Sequence, residues 1–428
     1  MGSGSIVGLA VAMATLGSAV ARGAETPRHP TKGYTPPSEA VVVAAEEAPV
    51  ELGGTVVAKV KRGRRLGVRK QREGAFQVQV FTGRNLRHGW VDARHVKVVA
   101  DGEIDLAREA LLAAREVRPK LDVAACHARL DALTARAAKA AQAAATPAAR
   151  VQAIGRHLFG AERCRYEAKA HYLSDVIDRR RGNCLSLSLL YVLVGRRLKM
   201  PMRVVTVPKH AFVRYDDGQR RWNIEASMGG MMVSDEYVRR RRLRHGVAPK
   251  LMSDLEVVAA MLAQAGNDLS TQGAGTRACE LFATAAELAP RNSQTYHNWG
   301  TALLARNQRA QACDKFSRAL QLTPHVAETY YTWGVALAKL GEHEWACEKF
   351  ASAAKADPTS PPAYFNWGIA LLQLRKPREA DEKLDKAVAL LPALKPQVQK
   401  LRAAFRQGTP HRRTPINTPA SERPAPPR

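Results

Sequence analysis

Cys184 is the residue whose setting most clearly favours chemistry. It follows Gly182-Asn183 and starts an apolar stretch that runs to about Leu198. Asn183 is a favourable N-cap, so the pattern predicts a helix that begins at Cys184. A thiol in the first turn of a helix lies near the positive end of the helix dipole, which lowers its pKa, and free backbone N–H groups there stabilise an oxyanion. The position suits a nucleophile; a small buried packing residue is the alternative interpretation.

Three short segments downstream of this helix read as strands, and they contain the partners that such a thiol needs. The predicted strands are Arg203–Val207, His210–Tyr215 and Arg221–Ser227. Asp217-Gly218 between the last two is a strong hairpin signal. If this pair forms a two-residue loop, His210 lies directly opposite Glu225, and Asn223 lies opposite Phe212 on the same face.

A carboxylate beside an imidazole holds its tautomer and stabilises the imidazolium, as the third member of a catalytic triad does. The candidate catalytic residues are therefore Cys184, His210 and Glu225, with Asn223 as the alternative third member. A thiolate beside such a pair attacks an amide carbonyl and forms a thioester. Water then gives hydrolysis and an amine gives cross-linking, and the residues leave both outcomes open.

The elements that must position these residues form a mixed α and β segment. Residues 101–150 are rich in alanine with spaced leucines, which predicts helices ahead of the Cys184 helix and the three strands. No metal or cofactor is expected, because none of the cysteines lies in a C-x-x-C pair.

The same residues resemble a known family. Gly182–Ser188, Pro208–Arg214 and Asn223–Gly229 look like the transglutaminase-like superfamily, in the bacterial branch often joined to tetratricopeptide repeats. Ala124–Leu133 and Leu158-Phe159-Gly160 match that branch too, and the resemblance covers about residues 101–245.

The resemblance implies an α+β, papain-like core over residues 101–250 and carries the family's Cys, His and Asp roles onto Cys184, His210 and Glu225. This chain departs from the pattern in having Glu as the third member. It also has Ala170-His171 where relatives carry Asn-Ser. His171 and Tyr172 are the candidates for a second oxyanion donor.

The C-terminal third carries a repeat of 34 residues, and several residue types recur in register. These are Pro290, Pro324, Pro358 and Pro392; Gly266, Gly300, Gly334 and Gly368; Trp299, Trp333 and Trp367; Ala278, Ala312, Ala346 and Ala380; and Cys279, Cys313 and Cys347. This period is typical of tetratricopeptide repeats, in which paired helices stack. We predict four repeats with a capping helix over residues 256–406, an all-α solenoid whose groove binds a protein or peptide. The recurring cysteines are expected to be packing residues.

The front of the chain predicts a different kind of unit. Residues 50–100 contain short alternating runs separated by glycine-rich turns, which indicates a small all-β domain. Gly89-Trp90-Val91 with His95–Val98 resembles bacterial SH3-like domains, and that resemblance implies a small barrel that binds cell-wall peptide or packs on its neighbour.

The termini predict segments outside these domains. Ile6–Ala21 is apolar and ends in an A-x-A pattern, so residues 1–24 are interpreted as a signal peptide and the protein as exported to the periplasm or the exterior; without such a signal it is cytoplasmic. Residues 25–49 are expected to be a linker and 407–428 a disordered tail. Nothing in the sequence has the length of a membrane span.

The formal net charge of +27, from 66 Lys and Arg against 39 Asp and Glu, favours acidic partners. The basic residues are spread over every segment, with Arg239–Arg242 and Arg244 as the densest group. No nucleic-acid-binding signature accompanies them, so no specific nucleic-acid partner is expected. Two functions remain open: a cysteine-dependent acyl-transfer enzyme, and a non-catalytic interaction scaffold with a degenerate catalytic fold.

Overall fold

The computed structural model describes residues 39–43, 47–52, 55–61, 65–72, 74–82, 85–100, 104–207, 210–242 and 249–406. The chain divides into two compact units, Met1–Pro290 and Arg291–Arg428. The predicted signal peptide, the first part of the predicted linker, the tail from residue 407 and the Pro208-Lys209 pair of the quoted motif lie outside the described residues.

The first unit begins with a seven-stranded antiparallel sheet in the order β3-β2-β6-β5-β4-β1-β7. Its core is apolar and includes Ala48, Val50, Leu66 and Val78. The strands are β1 (Glu39–Val43), β2 (Glu47–Leu52), β3 (Thr55–Lys61), β4 (Arg65–Arg72), β5 (Ala75–Thr82), β6 (Asn85–Asp92) and β7 (Val96–Ala100).

This sheet differs in two ways from the SH3-like prediction. Among the described strands the order is open, so the barrel is not confirmed. The sheet also begins before residue 50, because β1 lies in the stretch predicted as a linker and β2 starts there. The run Val41-Val42-Val43 explains the first of these strands, since β-branched residues favour extended backbone.

The rest of the first unit places helices around a second sheet. This sheet has the order β13-β12-β11-β10-β14, and α5 packs against β10 and β11. The helices are α1 (Leu106–Val117), α2 (Val123–Gln142), α3 (Pro147–Gly155), α4 (Leu173–Arg179), α5 (Cys184–Arg197), α6 (Asp235–Arg242), α7 (Asp254–Thr271) and α8 (Gly275–Leu288). The strands of this sheet are β10 (Met202–Val207), β11 (His210–Asp216), β12 (Arg221–Glu225), β13 (Met231–Val233) and β14 (Lys250–Leu251). A separate pair of parallel strands is formed by β8 (Arg165–Tyr166) and β9 (Arg181–Gly182).

The predicted hairpin forms, but its register was predicted wrongly. Asn223 pairs with Arg214, not Phe212, so every pair is displaced by two residues and the loop has four residues, 217–220. The Asp217 carboxylate explains the longer loop, because its Oδ1 accepts hydrogen bonds from the N–H groups of Gln219 and Arg220 at 3.0 and 2.7 Å. A shift of two residues leaves every side chain on its predicted face, whereas a shift of one would have reversed them.

The helical repeats form the end of the first unit and the whole of the described second unit. Helices α7 and α8 pair within the first unit. The second unit contains α9 (Ser293–Ala305), α10 (Arg309–Leu322), α11 (Ala327–Leu340), α12 (His343–Ala356), α13 (Pro361–Gln373), α14 (Pro377–Leu390) and α15 (Lys395–Arg406). Each recurring proline lies two residues beyond the end of the second helix of a pair, where it does not interrupt helical hydrogen bonds.

The recurring glycines lie where paired helices approach most closely. A Cβ placed on Gly300 or Gly334 would lie 2.7 Å from the ring of Phe316 or Phe350. Real Cβ atoms do not tolerate such contacts, so the missing side chain lets the aromatic ring fill the space between the helices. This geometry explains why a glycine on the first helix of a pair faces a phenylalanine on the second, as Gly300 faces Phe316 and Gly334 faces Phe350.

Within the described residues, no helix combines the length and apolarity required to cross a bilayer.

Candidate catalytic site

Helix α5 begins at Cys184, and Asn183 caps it. The Asn183 Oδ1 accepts hydrogen bonds from the N–H groups of Leu185 and Ser186, both at 3.0 Å. The Asn183 N–H donates to the carbonyl of Ala170 at 2.8 Å, which ties the cap to the preceding loop. Two first-turn N–H groups therefore donate to the cap. The N–H of Cys184 itself does not take part in this cap.

The Cys184 thiol is partly buried and faces β11. Burial alone would raise its pKa, but hydrogen bonding to His210, the charge of that ring and the N–H groups of Ala211 and Leu185 together lower the pKa below its usual value. These groups stabilise the sulfur as a thiolate. The structure thus brings together the cysteine and the histidine that were predicted from sequence.

His210 also contacts the predicted third member. Its Nε2 lies 2.7 Å from Glu225 Oε2, and the two side chains are 10% and 0% exposed. A carboxylate accepts hydrogen bonds, so Nε2 carries the proton and donates it. In the neutral ring, Nδ1 is then the lone-pair nitrogen available to the thiol. Ser227 Oγ donates to the same Glu225 oxygen at 3.3 Å, which helps to hold the carboxylate.

The register suits a glutamate at position 225. Extending the observed pairing by one step sets Phe212 opposite Glu225 and makes His210 a diagonal neighbour on the same face. Diagonal neighbours lie about 7–8 Å apart, within reach of long side chains. The extra methylene of glutamate, compared with aspartate, supplies reach toward the imidazole.

Asn223, the alternative third member, lies in a different network. Its amide oxygen accepts a hydrogen bond from Arg214 Nε at 2.9 Å, and its Nδ2 donates to Asp235 Oδ1 at 2.7 Å. Arg214 also pairs with Asp235 at 3.1 Å. Asn223 is 1% exposed. These contacts link β11, β12 and the start of α6, which is a structural role.

Replacing Asn223 with alanine is therefore expected to lower stability and spare the thiol. Loss of the amide removes partners from Arg214 and Asp235, at a cost of about 1–3 kcal/mol in the free energy of unfolding. Urea unfolding measures this cost, and the pH dependence of Cys184 alkylation reports on the site. A shifted alkylation profile with unchanged stability would instead assign Asn223 to the catalytic group.

His171 and Tyr172, the candidate oxyanion donors, are held by helix α7. Tyr172 OH donates to Asp268 Oδ2 at 2.6 Å, and His171 Nδ1 lies 3.3 Å from the same oxygen and 2.9 Å from Gln264 Nε2. Burial raises the pKa of the Asp268 carboxyl, but the bonds from His171 and Tyr172 outweigh it and lower the pKa. The Tyr172 hydroxyl is thus committed to Asp268, and no bond to the thiol is recorded for either residue.

Four contributors to the site went unrecognised in the sequence. Ala211 acts through its backbone N–H, which carries no signal in residue type. Asp268 and Gln264 lie more than 90 residues from the loop that they hold. Ser227 had a usable signal, since it is a hydroxyl two residues after the proposed carboxylate.

The remaining cysteines differ from Cys184. All six are free thiols, and Cys126 and Cys164 are buried. Burial raises the pKa of Cys313, and it raises the pKa of Cys347 to about 11. Among the described residues, no group of three or more His, Cys, Asp and Glu side chains is arranged to hold a metal ion.

The family comparison covers this site. Residues 124–268 match the model of the transglutaminase-like superfamily, a range that includes Cys184, His210, Glu225 and most of α7. The central domain is therefore transglutaminase-like.

Two curated relatives, both described as UPF0162 protein, come from strains of Xylella fastidiosa. The Temecula1 protein is 28% identical over 163 residues, covering 36% of this chain and 58% of the relative. The 9a5c protein is 30% identical over 128 residues, covering 28% of this chain and 46% of the relative. The chain thus spans about half the length of the curated relatives it matches.

Tetratricopeptide proteins are among the solved structures similar to this chain. YrrB, described as a TPR protein with an unusual peptide-binding site, is 26% identical with a TM-score of 0.31, covering 34% of this chain and 78% of its own. MamA from Desulfovibrio magneticus RS-1 is 23% identical with a TM-score of 0.30, covering 32% and 76%.

Proposed function

We propose that this protein is a cysteine-dependent acyl-transfer enzyme that acts on amide groups of a protein or peptide, with the helical repeats binding the partner. One observation carries the proposal: His210 hydrogen bonds to the Cys184 thiol at the start of α5 and, through Nε2 at 2.7 Å, to buried Glu225. These three residues correspond to the nucleophile, the base and the orienting carboxylate of a triad.

The reaction follows from this arrangement. His210 Nδ1 takes the thiol proton while Nε2–H remains hydrogen-bonded to the Glu225 carboxylate. The sulfur attacks the amide carbonyl carbon. The N–H of Cys184 donates to the developing oxyanion. The tetrahedral intermediate collapses as Nδ1–H protonates the leaving amine, and a thioester remains. Water or a second amine then attacks the thioester, His210 takes its proton, and the thiol returns with release of an acid or a new amide.

The test uses an activated acyl donor, because it does not require the natural substrate. With p-nitrophenyl acetate, the full chain should release a burst of nitrophenol and carry an acetyl adduct on Cys184 that hydroxylamine removes. Cys184→Ala should lose both, and Cys313→Ala, a matched loss of a partly exposed thiol, should keep both. Adding a primary amine distinguishes transfer from hydrolysis by the product formed.

The opposite result has a definite meaning. If the wild-type protein forms no thioester and Cys184→Ala behaves identically, the transglutaminase-like domain is a scaffold and the repeats carry the function.

Three finer elements belong to the same proposal. The repeat groove binds a protein or peptide partner, and the N-terminal sheet domain binds cell-wall peptide. The apolar stretch Ile6–Ala21 is proposed as an export signal.

A further inference from the structure

A cleft opens beside the N-terminus of α5, within the first compact unit. Its enclosed volume is about 60 Å³, which suits a short side chain. Its walls come from four helices, with Ala110 of α1, Leu173 of α4, Leu185 and Leu189 of α5, and Ala260 and Met261 of α7. Small residues on two of the helices leave the space between them open.

The cleft lies beside the candidate nucleophile, which is not itself one of the lining residues. Asn183 and Leu185, the residues on either side of Cys184, both line it. Adjacent Cα atoms are about 3.8 Å apart, so one end of the cleft lies within a side chain's length of Cys184. A group attached next to a carbonyl carbon bound at the sulfur is therefore close enough to enter.

The chemistry of the lining selects for an apolar group. Polar residues of the lining already bond to protein: Asn183 caps α5, and Gln264 Nε2 donates to Asp268 Oδ1 at 2.9 Å. None of the described lining residues is Asp, Glu, Lys or Arg. A charged ligand would be desolvated there without a partner of opposite charge, whereas an aliphatic chain loses nothing on entry.

We propose that this cleft is the acyl-side specificity subsite, which takes the aliphatic side chain of the substrate residue next to the amide that Cys184 attacks. The inference rests on the proposed acyl-transfer function and adds its substrate class. Helix α7 thereby has two roles, as one wall of the subsite and as the first helix of the repeat region.

Three alkylating probes of Cys184 test the subsite in the full chain: iodoacetamide, N-butyl iodoacetamide, and N-(2-methoxyethyl) iodoacetamide, which is a polar chain of equal length. Peptide mapping reports the rate at Cys184, with Cys347 as the internal reference thiol. The butyl probe should react at Cys184 about tenfold faster than the other two, because a few buried methylenes give at least that discrimination. Cys347 should show no such preference.

Two substitutions change the subsite in opposite directions. Ala260→Phe fills the mouth from a partly exposed position and should reduce the butyl-to-iodoacetamide ratio to that of Cys347. Met261→Ala enlarges the cleft and should shift the preference toward an N-hexyl probe. Leu262→Phe is the matched control, since Leu262 is partly exposed on the same helix outside the lining, and it should leave all rates unchanged. Circular dichroism confirms that each variant is folded.

The outcomes separate the two proposals. Fast iodoacetamide labelling of Cys184 with equal rates for all probes overturns the subsite and leaves the enzyme proposal intact. A butyl preference that Leu262→Phe removes as well as Ala260→Phe also overturns the subsite. If Cys184 reacts as an ordinary thiol with every probe, both proposals fail. An ordinary iodoacetamide rate with a butyl preference supports an apolar binding site in the cleft but overturns Cys184 as an activated nucleophile.

Discussion

Replacing Glu225 with glutamine is expected to slow p-nitrophenyl acetate turnover by about 10³- to 10⁴-fold. Glutamine has nearly the same shape, but its amide N–H can donate to His210 Nε2, which the carboxylate cannot. The ring proton then moves to Nδ1, where it blocks acceptance of the thiol proton. Glu225 is fully buried and 2.7 Å from Nε2, so no solvent competes for this hydrogen bond. Steady-state turnover measures the effect, and thermal unfolding checks that the variant is folded.

Glu225→Asp is the informative control for this prediction. It keeps the charge but shortens the side chain by one methylene, and the diagonal position of His210 requires the longer reach. Its activity should fall between those of the wild type and Glu225→Gln. A Glu225→Gln protein that retains activity within tenfold of the wild type would remove Glu225 from the mechanism.

Alkylation by iodoacetamide is expected to mark Cys184 at a lower pH than any partly exposed cysteine of the second unit. The reactive species is the thiolate, and lowering a thiol's pKa increases the thiolate fraction at any pH below the usual value. The pKa of Cys184 is lowered, whereas that of Cys347 is raised to about 11. At pH 8 only about one Cys347 in a thousand is a thiolate, because this pH is about three units below that pKa. Peptide mapping over pH 5–10 gives each profile.

His210→Ala should move the Cys184 profile to higher pH. The substitution removes the hydrogen bond and the positive charge that lower the pKa, and burial then dominates and raises it. His127→Ala is a suitable control, because His127 on α2 pairs with Asp105, the N-cap of α1, and the profile should not change. A Cys184 profile that coincides with that of Cys347 in the wild-type protein would contradict the assignment of a thiolate.

Local signals in the sequence were sufficient for the elements of the site. Asn183 predicted the start of α5 because an N-cap acts within three residues, and the structure has its helix beginning at Cys184. The 34-residue period predicted the helix pairs and their ends, because each repeat meets the same packing problem. Neither inference required knowledge of distant contacts.

The pairing of residues across the hairpin could be predicted only in part from the sequence. The period of two along a strand set which side chains share a face, and for that reason His210 and Glu225 meet despite the wrong register. The register itself depended on Asp217, whose side chain bonds to the N–H groups of Gln219 and Arg220 and widens the turn. A dipeptide signal does not include such side-chain bonds.

The sequence by itself determined where helix α5 starts, which strand residues share a face and how the repeats recur, since these follow from interactions within a few residues or one period. Only the tertiary structure decided that Glu225, not Asn223, meets His210, that α7 holds His171 and Tyr172, and that a cleft lies beside Cys184. Those features join segments up to 97 residues apart. The packing of whole elements brings such segments together, and no local pattern in the chain encodes that distance.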